Sequence, residues 1–227
     1  MLVEPKPRAL STSVAEAFLH EARNAVFGLS VTLDAMQEDE APGAALAEHA
    51  TTLLGCAGRA TRLMHDLVAY LEPPTPVRSQ LDLPASLRAV VEEVRPALGE
   101  RGFRLHVPED ALPAPCVGDP HLVHRALCAL IQGVAIVAGR DADVVVSLAA
   151  RRDRSRSFLE VCISAEQAEV APERVATFFE PFAVRGPHLT GFSVALAKRS
   201  LAAQDVTVVV EQPREGALVA RIVFPLG

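Results

Sequence analysis

Apolar residues recur at intervals of three and four over positions 11–36 and again over 44–71, which is the spacing of amphipathic helices. The second series alternates steps of four and three throughout, as a heptad seam does. We therefore expect two long helices, each with one narrow apolar stripe. The stripe residues are Val14, Phe18, Ala22, Ala25, Leu29, Leu33 and Met36 in the first helix, and Leu46, Ala50, Leu53, Ala57, Ala60, Met64, Leu67 and Leu71 in the second.

The polar segment 37–43 between these helices ends in Pro42 and Gly43, a turn signal. Two long helices joined by a short turn run antiparallel. A two-helix hairpin cannot fully bury both stripes, whereas two hairpins packed as a four-helix bundle can. The pattern therefore predicts a homodimer.

Prolines at 73, 74 and 76 end the second helix and predict a linker, so we divide the chain into a hairpin at 11–72 and a second domain at 80–227. Beyond the linker, helical and alternating patterns are mixed, which predicts an α+β fold: the hairpin followed by an α/β sandwich with helices on one face of one sheet. The expected helices are 84–98, 121–137, 172–179 and 189–202, and the expected strands are 103–107, 143–149, 158–163, 206–210 and 217–224.

The composition narrows the class of partner. Half of the 227 residues are hydrophobic and the net charge is −6, which argues against binding to nucleic acid or an anionic membrane surface. No run of 18 or more apolar residues occurs, so no membrane-spanning helix is expected. Residues 1–10 read as a loose leader without the apolar region of a signal peptide. The four scattered cysteines suggest free thiols, and together these features predict a cytoplasmic protein.

The first helix carries a candidate reactive histidine. His20 lies two residues after the stripe residue Phe18, roughly 200° round the helix, so its imidazole is expected to face water. Asn24 is one turn further along and beside it. A neutral imidazole is a competent nucleophile, and the adjacent Glu21 could accept the other ring N–H. An ordinary solvent-facing histidine is the alternative that the hairpin alone leaves open.

Apolar residues continue along the water-facing side of the same helix. Phe27 and Val31 have no packing reason to lie opposite the buried stripe. We expect them to form, with Arg23, a docking surface for a partner protein beside the histidine.

The segment His20-Glu21-Ala22-Arg23-Asn24 resembles the phosphoacceptor box of bacterial sensor histidine kinases, with Ala25 where that family usually has proline. The second domain resembles the ATP-binding domain of the same family. Segment 118–125 resembles the approach to its asparagine box, Phe179-Glu180-Pro181-Phe182 is similar to its Phe-Glu-Pro-Phe box, and 191–199 matches the frame of its last glycine box. The resemblance covers residues 12–226, and it implies a response-regulator receiver domain as partner.

Several positions depart from the family's nucleotide-binding pattern. Ala129 and Gly133 stand where the family has the asparagines that help to hold Mg²⁺, and Ala165 stands where an aspartate accepts the adenine amino group. Gln167, Glu169 and Ser193 replace glycines, with Glu169 also bringing a negative charge. We therefore expect little or no ATP binding and no bound cofactor.

Three functions fit this sequence. The favoured one is a histidine phosphotransferase, in which His20 exchanges a phosphoryl group with receiver aspartates and no nucleotide is needed. The alternatives are an ATP-dependent histidine kinase with a divergent pocket, which would need ATP and Mg²⁺, and a non-enzymatic scaffold that binds a response regulator.

Two histidines of the second domain are a further candidate, for a metal site. His121 and His124 lie three residues apart on a predicted helix. No Cys, Asp or Glu partner is evident from the sequence, so we expect a surface pair and no metal.

Overall fold

The computed structural model describes residues 11–38, 44–72, 75–99, 102–106, 116–140, 142–153, 156–168 and 170–226. Two long helices, α1 (Thr12–Glu38) and α2 (Ala44–Leu71), form the N-terminal hairpin. The predicted bounds of α2 agree with the structure, and α1 extends two residues beyond its predicted end. The predicted leader at 1–10 and the Pro42-Gly43 turn lie outside the described residues.

The second domain alternates helices and strands, as the mixed periodicity predicts. The strands predicted at 143–149, 158–163 and 217–224 are longer in the structure, the one at 103–107 is described up to His106, and the one at 206–210 keeps its length but begins at Thr207. The helices predicted at 172–179 and 189–202 are shorter in the structure, at Pro172–Ala176 and Ser193–Ala202. The elements are β1 (Ser79–Leu81), α3 (Leu83–Leu98), β2 (Phe103–His106), β3 (Cys116–Gly118), α4 (Pro120–Ala138), β4 (Asp143–Asp153), β5 (Arg156–Glu166), α5 (Pro172–Ala176), α6 (Ser193–Ala202), β6 (Thr207–Glu211) and β7 (Ala217–Pro225).

Five strands form one mixed sheet in the order β2-β4-β5-β7-β6, in which only β2 and β4 pair in parallel. A second, two-stranded sheet pairs β1 with β3 and was not predicted. Each of these two strands has three residues, too few for an alternating pattern to be read. The α+β architecture, a helical hairpin followed by an α/β sheet domain, is confirmed.

The hydrophobic core lies between the main sheet and the helices α3, α4 and α6. Helix α4 is the central element and, by length and hydropathy alone, could cross a membrane, but 67% of its most apolar window is buried inside the domain. It is the core helix of a globular fold. Asp119 starts this helix by accepting hydrogen bonds from the amides of His121 and Leu122.

The hairpin and the second domain share a smaller core of their own. Leu63 and Tyr70 of α2 are buried against Phe182, Phe192 and neighbouring residues of the second domain. The predicted stripe of α2 does not include these two positions, so α2 has a second buried face. The prediction of a single stripe was incomplete, because the heptad pattern identifies one apolar seam and does not show which other positions contact the second domain.

Candidate functional site

His20 is exposed on α1, and Asn24 is exposed one turn further along. On the same helix, the side chains of Phe27 and Val31 are 67% and 48% exposed. Arg23 is exposed as well. The helical spacing therefore placed all five side chains at the surface correctly, while their functional roles stay predictions.

Glu21 is oriented differently from its neighbours on α1. No hydrogen bond between Glu21 and His20 is found among the described residues, and one carboxylate oxygen of Glu21 is buried without a hydrogen-bond partner in that part of the chain. Burial raises the pKa of Glu21, an effect opposed by the charge of Arg185, the backbone of Gly191 and the charge of Arg59. Glu21 therefore faces the second domain, and the contact with His20 that its sequence position suggested is not formed.

An aromatic cluster joins α1, α2 and the second domain on the side of α1 opposite His20. The ring of Phe192 lies 6.4 Å from that of Phe18, 5.1 Å from Tyr70 and 4.9 Å from Phe182, measured between centroids. Phe192 is fully buried. A Cβ at position 191 would clash with the ring of Phe182, so this packing requires glycine there. Two segments that resemble nucleotide-domain boxes, 179–182 and 191–199, thus pack against the hairpin.

A polar network beside this cluster is centred on Asp66 of α2, which is buried. Its carboxylate accepts hydrogen bonds from the guanidinium of Arg125 at 3.0 Å and from the hydroxyl of Thr190 at 2.5 Å. The hydroxyl of Ser193 lies at 3.4 Å. Arg199 adds a further link by donating to the backbone carbonyl of Tyr70. Asp66 was not predicted from the sequence, because its partners are 59 to 127 residues away in the chain.

Three of the positions that depart from the nucleotide-binding pattern, Ala129, Gly133 and Ala165, are buried, although Ala129 also lines a cavity with Ser193. Ala165 has no exposed surface. A Cβ built on Gly133 would lie 3.0 Å from Val194 Cγ2 and 3.2 Å from Phe178 Cζ. The space in front of Gly133 is therefore filled by this chain's own residues.

Two further departures concern the loop after β5. Gln167 has a φ of +59°, a left-handed backbone conformation that glycine adopts more readily than glutamine. Glu169, whose charge was expected near a nucleotide, lies outside the described residues. At position 167 the backbone therefore has a conformation that favours glycine, although this chain has glutamine where the histidine-kinase pattern has glycine.

A cavity of about 410 Å³ separates the hairpin from the second domain near these positions. Its lining includes Arg62 and His65 from α2, with Glu93, His124 and Cys128 on the opposite side. Nε2 of His124 lies 2.7 Å from a carboxylate oxygen of Glu93. Burial, reinforced by the charge of Glu93, raises the pKa of Cys128 to about 12. The sequence pattern pointed to no acidic or thiol partner for His124, and the structure places Glu93 and Cys128 beside it.

No family model matches the sequence, and no curated protein is significantly similar to it. Solved structures do match its shape. The histidine kinase AdeS of Acinetobacter baumannii aligns with a TM-score of 0.68 and 16% identity over 92% of this chain and 98% of that one. The histidine kinase ThkA, solved in complex with the response regulator TrrA, aligns with a TM-score of 0.67 and 14% identity over 94% of this chain and 61% of that one.

This chain has the fold of a sensor histidine kinase core. The mycobacterial sensor histidine kinase MprB also aligns, with a TM-score of 0.52 and 21% identity over 66% of this chain and 97% of that one. In this histidine-kinase fold, the hairpin of α1 and α2 matches the dimerisation and phosphoacceptor hairpin, and the second domain matches the ATPase domain. Identities this low establish the fold, and function has to be argued from the site.

Proposed function

We propose that this protein is a histidine phosphotransferase of a two-component phosphorelay. The observation that carries the proposal is the contrast between its two candidate sites. His20 is exposed on the hairpin of a histidine-kinase fold, whereas Gly133 and Ala165, two of the positions that would hold a nucleotide, are packed inside the apolar core. In this proposal the chain retains the phosphoacceptor histidine, His20, and lacks the residues needed to phosphorylate it from ATP.

The transfer needs no nucleotide because an acyl phosphate already carries the transfer potential. A ring nitrogen of His20 attacks the phosphorus of a receiver phosphoaspartate, the P–O bond to the aspartate breaks, and the freed carboxylate stays on the receiver. The phosphoimidazole then passes the group to a second receiver by the reverse exchange. The receiver supplies Mg²⁺ and the acidic pocket, and Asn24 orients the incoming group beside His20.

A response-regulator receiver domain is the partner that we propose. ThkA, which shares this fold, is known in complex with a response regulator. On this chain, Phe27 and Val31 form an exposed apolar strip along α1 from His20, with Arg23 beside them. A receiver that packs on this strip would bring its aspartate to the imidazole.

Weak or absent ATP binding is part of the same proposal. A nucleotide seated against Gly133 would have to displace Phe178 and Val194, which are buried in the core. Loss of the adenine-binding carboxylate at Ala165 and of the Mg²⁺-binding amides would each cost about 1–3 kcal/mol of binding free energy. We propose that the protein works without a bound cofactor, in the cytoplasm, as a homodimer.

The test uses the purified chain and a phosphorylated receiver domain. We expect the wild-type protein to accept the phosphoryl group, and His20→Gln to abolish transfer while leaving the melting temperature unchanged, because His20 is exposed. Asn24→Ala should slow transfer by about 10–100-fold if it positions the group. Calorimetric titration with ATP and Mg²⁺ should give no measurable heat.

Two outcomes would overturn the proposal. Labelling of His20 by ATP and Mg²⁺ alone would make the chain a kinase. Receiver binding that survives His20→Gln, with no phosphoryl group found on the wild-type protein under any transfer condition, would make it a scaffold.

A further inference from the structure

Three potential metal ligands from two helices meet at the wall of the cavity between hairpin and second domain. His124 and Cys128 lie one turn apart on the same face of α4, and Glu93 reaches them from α3. One ligand atom from each, a ring nitrogen, a thiol sulfur and a carboxylate oxygen, lies within 4.8 Å of the other two. His20 is not part of this cluster, and Ala129 and Ser193, two of the departures from the nucleotide-binding pattern, line the same cavity without offering a metal ligand of the cluster.

From this cluster we propose a zinc site formed by Glu93, His124 and Cys128, with a water as fourth ligand. Thiolate, imidazole and carboxylate are the three ligand types that Zn²⁺ takes in proteins. At usual Zn–S and Zn–N lengths of about 2.3 and 2.1 Å, tetrahedral ligands stand about 3–4 Å apart, so the atoms need only small rotations to reach that geometry.

The surroundings of the cluster fit a bound cation. Its three residues line the cavity of about 410 Å³, which leaves room for a water on the open side of the metal. Cys128 is buried, with 8% of its surface exposed, and this excludes solvent from the other side. When the metal binds, the thiol proton is released to solvent and the sulfur coordinates as the thiolate.

The combination of carboxylate, imidazole and thiolate ligands favours zinc over Mg²⁺ and Ca²⁺. Mg²⁺ and Ca²⁺ require oxygen ligands, of which the cluster offers one side chain. The arrangement ties α3 to α4 beneath the hairpin, so the bound ion would stabilise the wall of the cavity. The proposal does not depend on His20 or on the phosphotransfer proposed above.

The test titrates the metal-free chain of 227 residues with zinc chloride by calorimetry and with cobalt(II) as a spectroscopic probe. We expect one zinc per chain with a dissociation constant of about 1 µM or tighter, and a thiolate-to-cobalt charge-transfer band in the near ultraviolet. Glu93→Gln and Cys128→Ser should each weaken zinc binding by about 100-fold or more, since even the groups that merely orient metal ligands cost 10–100-fold. Cys128→Ser should also abolish the charge-transfer band.

The control is Cys162→Ser, which changes a half-buried thiol on β5, away from the cluster, and should leave affinity and spectrum unchanged. Glu93 has an exposed side chain, so Glu93→Gln keeps the test valid if Cys128→Ser folds poorly. Zinc should also raise the melting temperature of wild type and not that of Glu93→Gln. Equal zinc affinity in wild type and Glu93→Gln, or a cobalt complex without a thiolate band, would overturn the proposal.

Discussion

At the scale of single residues, Glu21 shows how a neighbour in sequence can serve a different part of the fold. It follows His20 directly, yet on a helix consecutive side chains point about 100° apart, so the two groups face different surroundings. Glu21 is partly buried against the second domain, with one carboxylate oxygen lacking a hydrogen-bond partner among the described residues. An ionised carboxylate in that position is destabilising.

We expect Glu21→Gln to increase the free energy of unfolding at pH 7. Because the folded-state pKa of Glu21 is raised, the folded protein holds the proton more tightly, and the protein loses stability as the pH rises from the unfolded-state pKa through the folded value. The substitution removes that loss. Urea denaturation at pH 7 and at pH 4 should give a gain at pH 7 that shrinks at pH 4.

The matched control is Glu16→Gln on the same helix, where the side chain is exposed. It should change stability by less than about 0.5 kcal/mol at either pH. A Glu21→Gln variant less stable than wild type at pH 7 would mean that the guanidinium groups of Arg185 and Arg59 outweigh burial.

The exposure of single side chains was predicted correctly from the sequence where it depends on the geometry of one helix. Exposure of His20, Phe27 and Val31 follows from the angle each makes with the stripe of α1. Asp66 could not be found in this way, because a carboxylate on α2 looks like an ordinary surface charge until Arg125 and Thr190 are placed beside it.

At the scale of elements, two helices of the fold contain glycines in very different surroundings. Gly55 lies in α2 with nothing within 4 Å of the place a Cβ would occupy. Gly133 lies in α4 with the side chains of Val194 and Phe178 at the edge of that place. The same substitution therefore has opposite consequences in the two helices.

We expect Gly55→Ala to stabilise the protein by about 0.5–1 kcal/mol, because alanine is the better helix former and meets no neighbour. Gly133→Ala should gain the same helix propensity but lose more through overpacking, for a net loss of about 1 kcal/mol. Chemical denaturation of both variants measures the difference. A gain in both would mean that the space in front of Gly133 is looser than its packing indicates and could admit a ligand.

Helices and strands were predicted from the sequence when they are long enough to show a clear pattern of apolar residues. The Pro42-Gly43 turn signal and the prolines after position 72 located both ends of α2, and the apolar run of α4 located the core helix. Strands β1 and β3 were missed because three residues hold no usable period, and Leu63 and Tyr70 were missed because the second face of α2 exists only against the second domain.

At the scale of the whole molecule, the hairpin of a single chain leaves much of its predicted stripe uncovered. Leu33 and Met64, both stripe residues, are 48% and 54% exposed. Burying such side chains gains about 25 cal/mol for each Å² of apolar surface, and a second hairpin packed against the first would bury them. This exposure supports the proposed homodimer.

We expect Leu33→Glu to dissociate the dimer into monomers, because it introduces a charge at the proposed bundle core. Light scattering coupled to size-exclusion chromatography should show the mass halved relative to wild type. The matched control is Val209→Glu on β6, a side chain that is also 48% exposed but belongs to the sheet and not to the hairpin. That variant should remain dimeric. A wild-type protein that runs as a monomer would contradict the proposed assembly.

The packing of Phe18 against Phe192 has a bearing on partner choice. Phe18 is half a turn from His20, so the second domain packs against the side of α1 opposite the imidazole and leaves the outer strip uncovered. Under the proposed function, a receiver that docks on that strip would contact the hairpin alone. The hairpin would then determine which receivers are recognised, and the outer strip transferred to another hairpin should carry its preference among receivers with it.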